Sequence, residues 1–462
     1  MTHIRISKAW WPCSLVILLH SFGGKSQQNE LSFLFVGDVM QHDGQIEAAF
    51  NAKTNSYEYD NGFQFVKPII NAYDIRVANL EVTLAGKPYK GYPQFSAPDE
   101  LAETLQDAGF NVILTANNHS CDRGDDGVIR TLDKLDQLGI KHTGTFRNKK
   151  EREENYPLII EEKGMKVALL NYTYGTNGLT VSAPLIVNYI DSTVIKEDIK
   201  KAQNMGADYI ICNMHWGLEY KFLPNNYQKR FESYCYELGA DMVIGGHPHV
   251  VQPIEKKVVA NEDKFTVWSL GNFVSNMRTR PTRGGVMVGA TIEKKGKVQF
   301  KEATYHLVYT YKKNEGEVTQ YYILPDFDYN KFRPGFLNEK DLSQMSDFLS
   351  DSRKLYSEHN KGINESLLHT EKPISDVYER LLTRYYSVLI PEADAVKIKR
   401  NKLIQPFIHQ TVVSDGTVYT LSGNYASIQE AKANSFFILD CGITVRPIIV
   451  EVKPESLVKL KE

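Results

Sequence analysis

From residue 31 onward, short apolar runs alternate with amphipathic stretches, and the alternation predicts strand and helix in turn. Leu31–Val36, Ile75–Ala78, Asn111–Thr115, Met165–Asn171, Tyr209–Met214 and Met242–Ile244 read as strands of a largely buried sheet. Between them, Pro98–Ala108, Gly127–Leu138, Ser192–Met205 and Asn226–Leu238 repeat their apolar positions at helical spacing. Gly127–Leu138 runs into a glycine stop at Gly139, and Asn226–Leu238 into one at Gly239. Phe265–Leu270, Gly285–Ile292 and Val298–Leu307 read as antiparallel strands. The order predicts an α/β sandwich of two sheets flanked by helices.

The pattern changes near residue 311. Lys312–Glu317 is a polar turn, Leu337–Leu368 is charged and helical in spacing, and Ile374–Leu389 reads as a further helix. Residues 311–404 are thus expected to be a mainly helical extension, and 405–462 a small α+β unit. In that unit Val418–Leu421 and Thr444–Val452 read as strands around a helix at Ser427–Leu439. With Gly423-Asn424-Tyr425-Ala426-Ser427 before its helix, the unit loosely resembles half of a SPOR-type peptidoglycan-binding module.

Chemistry collects where the buried strands stop. Leu31–Val36 runs into Gly37-Asp38, Ile75–Ala78 into Asn79-Leu80-Glu81, and Asn111–Thr115 into Ala116-Asn117-Asn118-His119. Tyr209–Met214 runs into His215-Trp216-Gly217, and Met242–Ile244 into Gly245-Gly246-His247-Pro248-His249. Open α/β sheets bind ligands at these carboxyl ends. Asp38, Glu81, Asn118, His215, His247 and His249 together offer carboxylate, amide-oxygen and imidazole donors, which suit one or two divalent ions of the Mn, Fe or Zn type. His119 is left over as a candidate proton donor. Each piece also has an ordinary reading: Gly37-Asp38 as a turn, Asp122 ahead of Gly124 as a helix N-cap, His215 as a packed histidine. Two imidazoles split by a proline after two glycines are harder to explain as core.

These segments, followed by His215-Trp216-Gly217-Leu218-Glu219-Tyr220, Gly246-His247-Pro248-His249-Val250 and Ser269-Leu270-Gly271-Asn272-Phe273, occur in an order that resembles the CapA family of poly-γ-glutamate capsule synthesis proteins. The resemblance covers about residues 31–310. It implies a calcineurin-like metallophosphoesterase fold, a four-layer sandwich of two mixed sheets flanked by helices. It also implies that Asp38 binds a first ion, Glu81 bridges or approaches both, Asn118 and His215 serve the second, and His247 and His249 complete the set. His119 would protonate the leaving oxygen. Asn79, Asn117, Trp216, Glu219 and Asn272 are the expected substrate contacts. Two departures from the phosphoesterase pattern leave a weak, mononuclear or altered first site open. Met40 stands where that pattern has histidine, with His42 nearby, and Asn79 and Glu81 replace its bridging aspartate.

By the resemblance, the substrate would be an anionic polymer or cell-wall fragment carrying a phosphoester or γ-glutamyl amide. Partners would be membrane-bound polymer synthesis machinery and, through the C-terminal unit, peptidoglycan. A non-catalytic, metal-dependent binding protein for such a polymer fits the same donors, as does a structural envelope factor. A formal charge of −2 over 462 residues gives no case for nucleic acid. At the N-terminus, His3, Arg5 and Lys8 precede an apolar stretch at 10–22 interrupted by Pro12, then Gly23-Gly24-Lys25-Ser26. That layout predicts a signal peptide over 1–26 and export to the periplasm or cell envelope. Cys13 lies inside that apolar stretch, and the other four cysteines, Cys121, Cys212, Cys235 and Cys441, show no metal spacing and no disulfide framework.

Overall fold

The computed structural model describes residues 29–315, 318–326 and 337–366, together with five strands between residues 385 and 459. Two sheets form the frame. The first orders its strands Val318–Pro325, Lys297–Glu315, Gly284–Lys295, Glu30–Val39, Ile75–Leu80, Val112–Leu114 and Lys141–Thr143, with Asn272–Val274 added beside Glu30–Val39. The second runs Ile254–Val259, Glu262–Val267, Met242–Gly246, Tyr209–His215, Met165–Thr173 and Leu158–Glu162. In each sheet four neighbouring strands are parallel, from Glu30–Val39 to Lys141–Thr143 in the first and from Met165–Thr173 to Glu262–Val267 in the second. All six strands read from the apolar runs are present, and their carboxyl ends lie along one edge of each sheet.

Side-chain alternation explains why the sheets stack. Val167, Leu169, Ile211 and Ile244 point into a core shared with Phe33, Phe35, Val77 and Val112 of the first sheet. Ala168, Leu170, Ile210, Cys212 and Val243 point the other way, into a second cluster with Ile195 and Ile199 of helix Ser192–Asn204 and Phe231 and Cys235 of helix Asn226–Glu237. Helix Glu100–Ala108 buries Leu101 and Leu105 in the first core. The arrangement is helix, sheet, sheet, helix, the four-layer sandwich the sequence predicts.

Several elements differ from the pattern reading. The strand at 262–267 is parallel to Met242–Gly246 and antiparallel only to Ile254–Val259, whose consecutive Glu255-Lys256-Lys257 break the apolar pattern of a strand. Lys312 to Glu315 continue a long strand that pairs with Val318–Pro325, so the first sheet extends beyond residue 310. Helix Glu339–His359 packs Phe348 and Tyr356 against that sheet, and Asn364–Glu365 is a short strand, not helix. Tyr385–Pro391 is also a strand where the end of a helix was expected. It pairs with Thr417–Tyr425 and Ile448–Lys453 in an antiparallel sheet with Ile408–Ser414 and Ser456–Lys459. The β-branched and aromatic content of Tyr385-Tyr386-Ser387-Val388-Leu389-Ile390 outweighs its helical spacing. The expected signal peptide and the helix at 427–439 lie outside the described residues.

Candidate metal centre

Asp38 and Glu81 from the first sheet face His215, His247 and His249 from the second. Asp38 is set by its neighbours on both sides, paired with Asn79 on one strand and Asn272 on the other. The preceding glycine makes this approach feasible: a Cβ at Gly37 would lie 1.9 Å from the Gly271 carbonyl oxygen, far inside contact distance. On the facing sheet, a Cβ at Gly245 would meet the Trp268 carbonyl oxygen at 2.1 Å. The chain then turns through His247 at φ +98° and His249 at φ +56°, backbone conformations that side chains beyond glycine seldom adopt and that gather at ligand sites.

Asp38 Oδ1 accepts from Asn79 Nδ2 at 2.8 Å, and Oδ2 accepts from the His247 backbone N–H at 3.3 Å. His249 Nδ1 lies 3.0 Å from Asn272 Oδ1 and 3.4 Å from Asp38 Oδ2. Asn272 therefore fixes the proton on Nδ1 and leaves Nε2, 3.9 Å from Glu81 Oε1, as the free lone pair. His215 Nε2 sits 2.7 Å from Asn118 Oδ1 and 3.5 Å from Glu81 Oε1. Glu81 is fully buried, and neither of its carboxylate oxygens has a hydrogen-bond partner. His247 Nδ1 is buried and unpartnered as well.

The electrostatics follow from this crowding. Burial opposes charge on Asp38, but its hydrogen bond to His249 and the fields of His215 and His249 hold it well below the usual carboxylate range. Burial and then the Asp38 charge push Glu81 well up. Burial also takes His215 down to about 3 and His247 well down, so both rings are neutral, as metal ligands must be. Burial lowers His249, but the hydrogen bond and charge of Asp38, with the Glu219 charge and the Asn272 hydrogen bond, together outweigh it and raise the ring.

A buried carboxylate with two bare oxygens beside neutral imidazoles is the environment a divalent cation fits, because an uncompensated polar group there is costly. Two groups of donors come within 4.8 Å: Asp38, Glu81 and His215, and Glu81, His247 and His249. They share Glu81, so the residues present can hold one ion or two.

His119 belongs to a separate pair. Its Nδ1 donates to Asp122 Oδ2 at 2.7 Å, its ring meets the Phe95 ring edge at 4.6 Å, and the Phe95 N–H donates to the same Asp122 oxygen at 2.7 Å. Asp122 is not the cap of the following helix; that position is Arg123, which makes no side-chain cap. Asp122 instead sets the tautomer of His119 and leaves Nε2 for other work.

Against this geometry, comparison with known proteins is informative. The profile of the bacterial capsule synthesis protein PGA_cap matches residues 32–277, more than half of the chain. The chain belongs to this family. The PGA biosynthesis protein CapA of Bacillus subtilis is 29% identical over 282 residues, covering 59% of this chain and 70% of that protein. The capsule biosynthesis protein CapA of Bacillus anthracis is 27% identical over 279 residues, covering 57% of this chain and 64% of that protein. Among solved structures, NAD nucleotidase from Haemophilus influenzae superposes with a TM-score of 0.40 at 13% identity, covering 86% of this chain and 88% of that one. Calcineurin-like phosphoesterase YfkN from Bacillus subtilis gives 0.37 at 15%, covering 71% and 98%. Both structural likenesses are distant.

In this PGA_cap chain the fold gathers Asp38, Glu81, Asn118, His215, His247 and His249, with His119 at their side. The residues expected to touch substrate divide differently. Asn79 bonds Asp38, and Asn117 donates to Asn79 Oδ1 at 3.1 Å and to the Leu80 carbonyl at 2.8 Å, so both brace the centre. Asn272 braces His249. Trp216 is fully buried, stacked on Trp268 with its indole N–H donating to the Trp268 carbonyl, and presents no face to a substrate. Glu219 alone of these is exposed, at the mouth, where its charge acts on Glu81 and His249. Met40 is buried in the core, and His42 does not replace a histidine there. Its Nδ1 accepts from the Asn276 N–H at 3.3 Å, and burial takes it down to about 4. The motifs missed Phe95 and Tyr174. Tyr174, whose ring lies 4.5 Å from that of His247, directly follows the Met165–Thr173 strand. Applying the strand-end rule to that strand would have found it. Nothing in the spacing marks Phe95.

Proposed function

We propose that this chain is a metal-dependent hydrolase or transferase acting on a phosphoester or γ-glutamyl amide of an anionic envelope polymer or cell-wall fragment. The observation that carries this reading is Glu81, a buried carboxylate with both oxygens unpartnered between His215 and the His247/His249 pair. Asp38, Glu81 and His215 would hold one divalent ion, and Glu81, His247 and His249 a second, with Asn118 as an oxygen donor beside His215. A bound divalent ion of the Mn, Fe or Zn type polarises the scissile group and eases deprotonation of water. The chain's own residues do the rest. Asn79 and Asn117 keep Asp38 oriented, Asn272 keeps His249 oriented, and His119, held by Asp122, delivers a proton from Nε2 to the departing oxygen or nitrogen.

The basic and then apolar N-terminal segment supports export of this activity from the cytoplasm, and the family supports a part in capsule or envelope polymer synthesis. The C-terminal unit, which carries no comparable donor set in sequence, is assigned to attachment, with peptidoglycan as its contact and membrane-bound synthesis machinery as the neighbour. Among the described residues no helix is long and apolar enough to cross a membrane.

Elemental analysis of purified wild type should give one to two equivalents of metal. The His247→Ala/His249→Ala double variant should lose most of it, and full retention there would sink the centre. A panel of phosphoesters and γ-glutamyl peptides then tests turnover. Met40 in place of a ligand favours the second reading, a binding protein for an anionic polymer end. Stoichiometric metal with polymer binding and no turnover on the panel would favour that reading.

A further inference from the structure

Directly after Trp216 the chain leaves its sheet and carries large apolar side chains into solvent. Leu218 is 54% exposed, Tyr220 48%, Phe222 47% and Leu223 48%, and Tyr227 at 37% extends the patch onto helix Asn226–Glu237. Single exposed apolar residues are ordinary, but five within ten residues form a patch of the size that often serves binding. The segment is also pinned. Tyr220 has φ +63°, a strained conformation, and its N–H donates to the Pro248 carbonyl at 2.8 Å. Gln252 Nε2 donates to the Lys221 carbonyl at 2.7 Å, and Asn225 and Gln228 cap the helix reciprocally. The backbone thus holds these side chains out.

The charges around the tip have one sign in excess. Lys221, Lys229 and Arg230 are exposed beside it, against the single carboxylate of Glu219. We propose that segment 217–230 docks this protein onto an anionic lipid surface. Leu218, Phe222 and Leu223 enter the boundary between headgroups and acyl chains, Tyr220 and Tyr227 lie at the headgroup level, and the three cations meet lipid phosphates. Five half-exposed side chains offer roughly 500 Å², short of the ~800 Å² per partner of a stable protein interface. For an inserting loop that area suffices. The same segment borders the metal centre, with the Tyr220 ring 6.3 Å from that of His249. Docking turns the centre toward the headgroups, where membrane-borne substrates are presented. This inference stands apart from the metal chemistry and does not depend on it.

Hydrogen–deuterium exchange on the full chain tests it, with phosphatidylcholine vesicles and with equal-part phosphatidylcholine and phosphatidylglycerol vesicles. Anionic vesicles should slow exchange in peptides spanning 217–230, and phosphatidylcholine alone should do so weakly. Leu218→Asp/Phe222→Asp should abolish the protection, and Lys221→Glu/Lys229→Glu should weaken vesicle partition through this segment roughly tenfold or more. Thermal melting in vesicle-free buffer should be unchanged in both variants, which separates lost docking from lost fold. Protection confined to the N-terminal apolar stretch, or equal in wild type and the Asp variant, would overturn the proposal. So would protection that appears only with native membranes containing protein, since the occupant would then be a protein.

Discussion

Glu81→Gln is expected to abolish metal binding and at the same time to stabilise the metal-free protein. Both donor groups depend on Glu81, so an amide there removes the shared anionic ligand and metal content should fall to background. The stability effect comes from the same burial. Glu81 is fully buried, and burial followed by the Asp38 charge raises its folded pKa above the unfolded value. Such a group favours the fold while protonated, and its contribution is lost as pH rises through the folded pKa. Glutamine mimics the protonated form and does not titrate. Metal-free Glu81→Gln should therefore match wild type in acid and exceed it by roughly 1–3 kcal/mol once wild-type Glu81 has ionised. Thermal melts across pH in the presence of chelator read this directly. A variant less stable than wild type at alkaline pH would mean that Glu81 is satisfied by the protein alone.

Replacing His119 should separate chemistry from metal binding. His119→Ala removes the imidazole held by Asp122, and turnover should fall by about 10²–10⁴-fold with metal content unchanged. It also leaves the buried Asp122 carboxylate with the Phe95 N–H as its remaining donor, its other oxygen already lacking a partner, at a cost of roughly 1–3 kcal/mol in stability. His119→Gln supplies a side-chain donor toward Asp122 and should recover much of that stability without recovering turnover. If His119→Gln worked at the wild-type rate, the imidazole would be structural. If His119→Ala lost its metal, His119 would be a ligand.

The strand-end donors were readable because a buried parallel strand must be apolar, so the first polar residue after it marks the carboxyl edge; Asp38, His215 and His247 obey this, and Glu81 follows two residues behind Asn79. The division of labour among the amides was not readable. Asn79, Asn117 and Asn272 look like substrate contacts in sequence, yet Asp38 and His249 consume them, because pairings between neighbouring strands and loops decide which amide meets which acid. Trp216 misled for a related reason: it follows a ligand directly, and in extended chain successive side chains face opposite ways. His215 faces the centre and Trp216 the helical layer. Asp122 and His119 are three residues apart in one loop and bond directly, and the Phe95 backbone, contributed by a different loop, holds the shared Asp122 oxygen in place.

Asp38 and His247 touch across 209 residues of chain, and the two sheets contribute complementary halves of the donor set. Closing a loop of that size costs entropy before any contact rewards it, so the centre is complete only once both sheets have docked. A cation present during refolding meets Asp38, Glu81 and Asn118 on one unfinished layer and the histidines on another. A cation held there would act as a lock on the finished molecule, and it is expected to slow unfolding while leaving the refolding rate where it was. Stopped-flow rates with and without manganese should diverge only in the unfolding direction, and faster refolding with metal would point to a site that nucleates the fold.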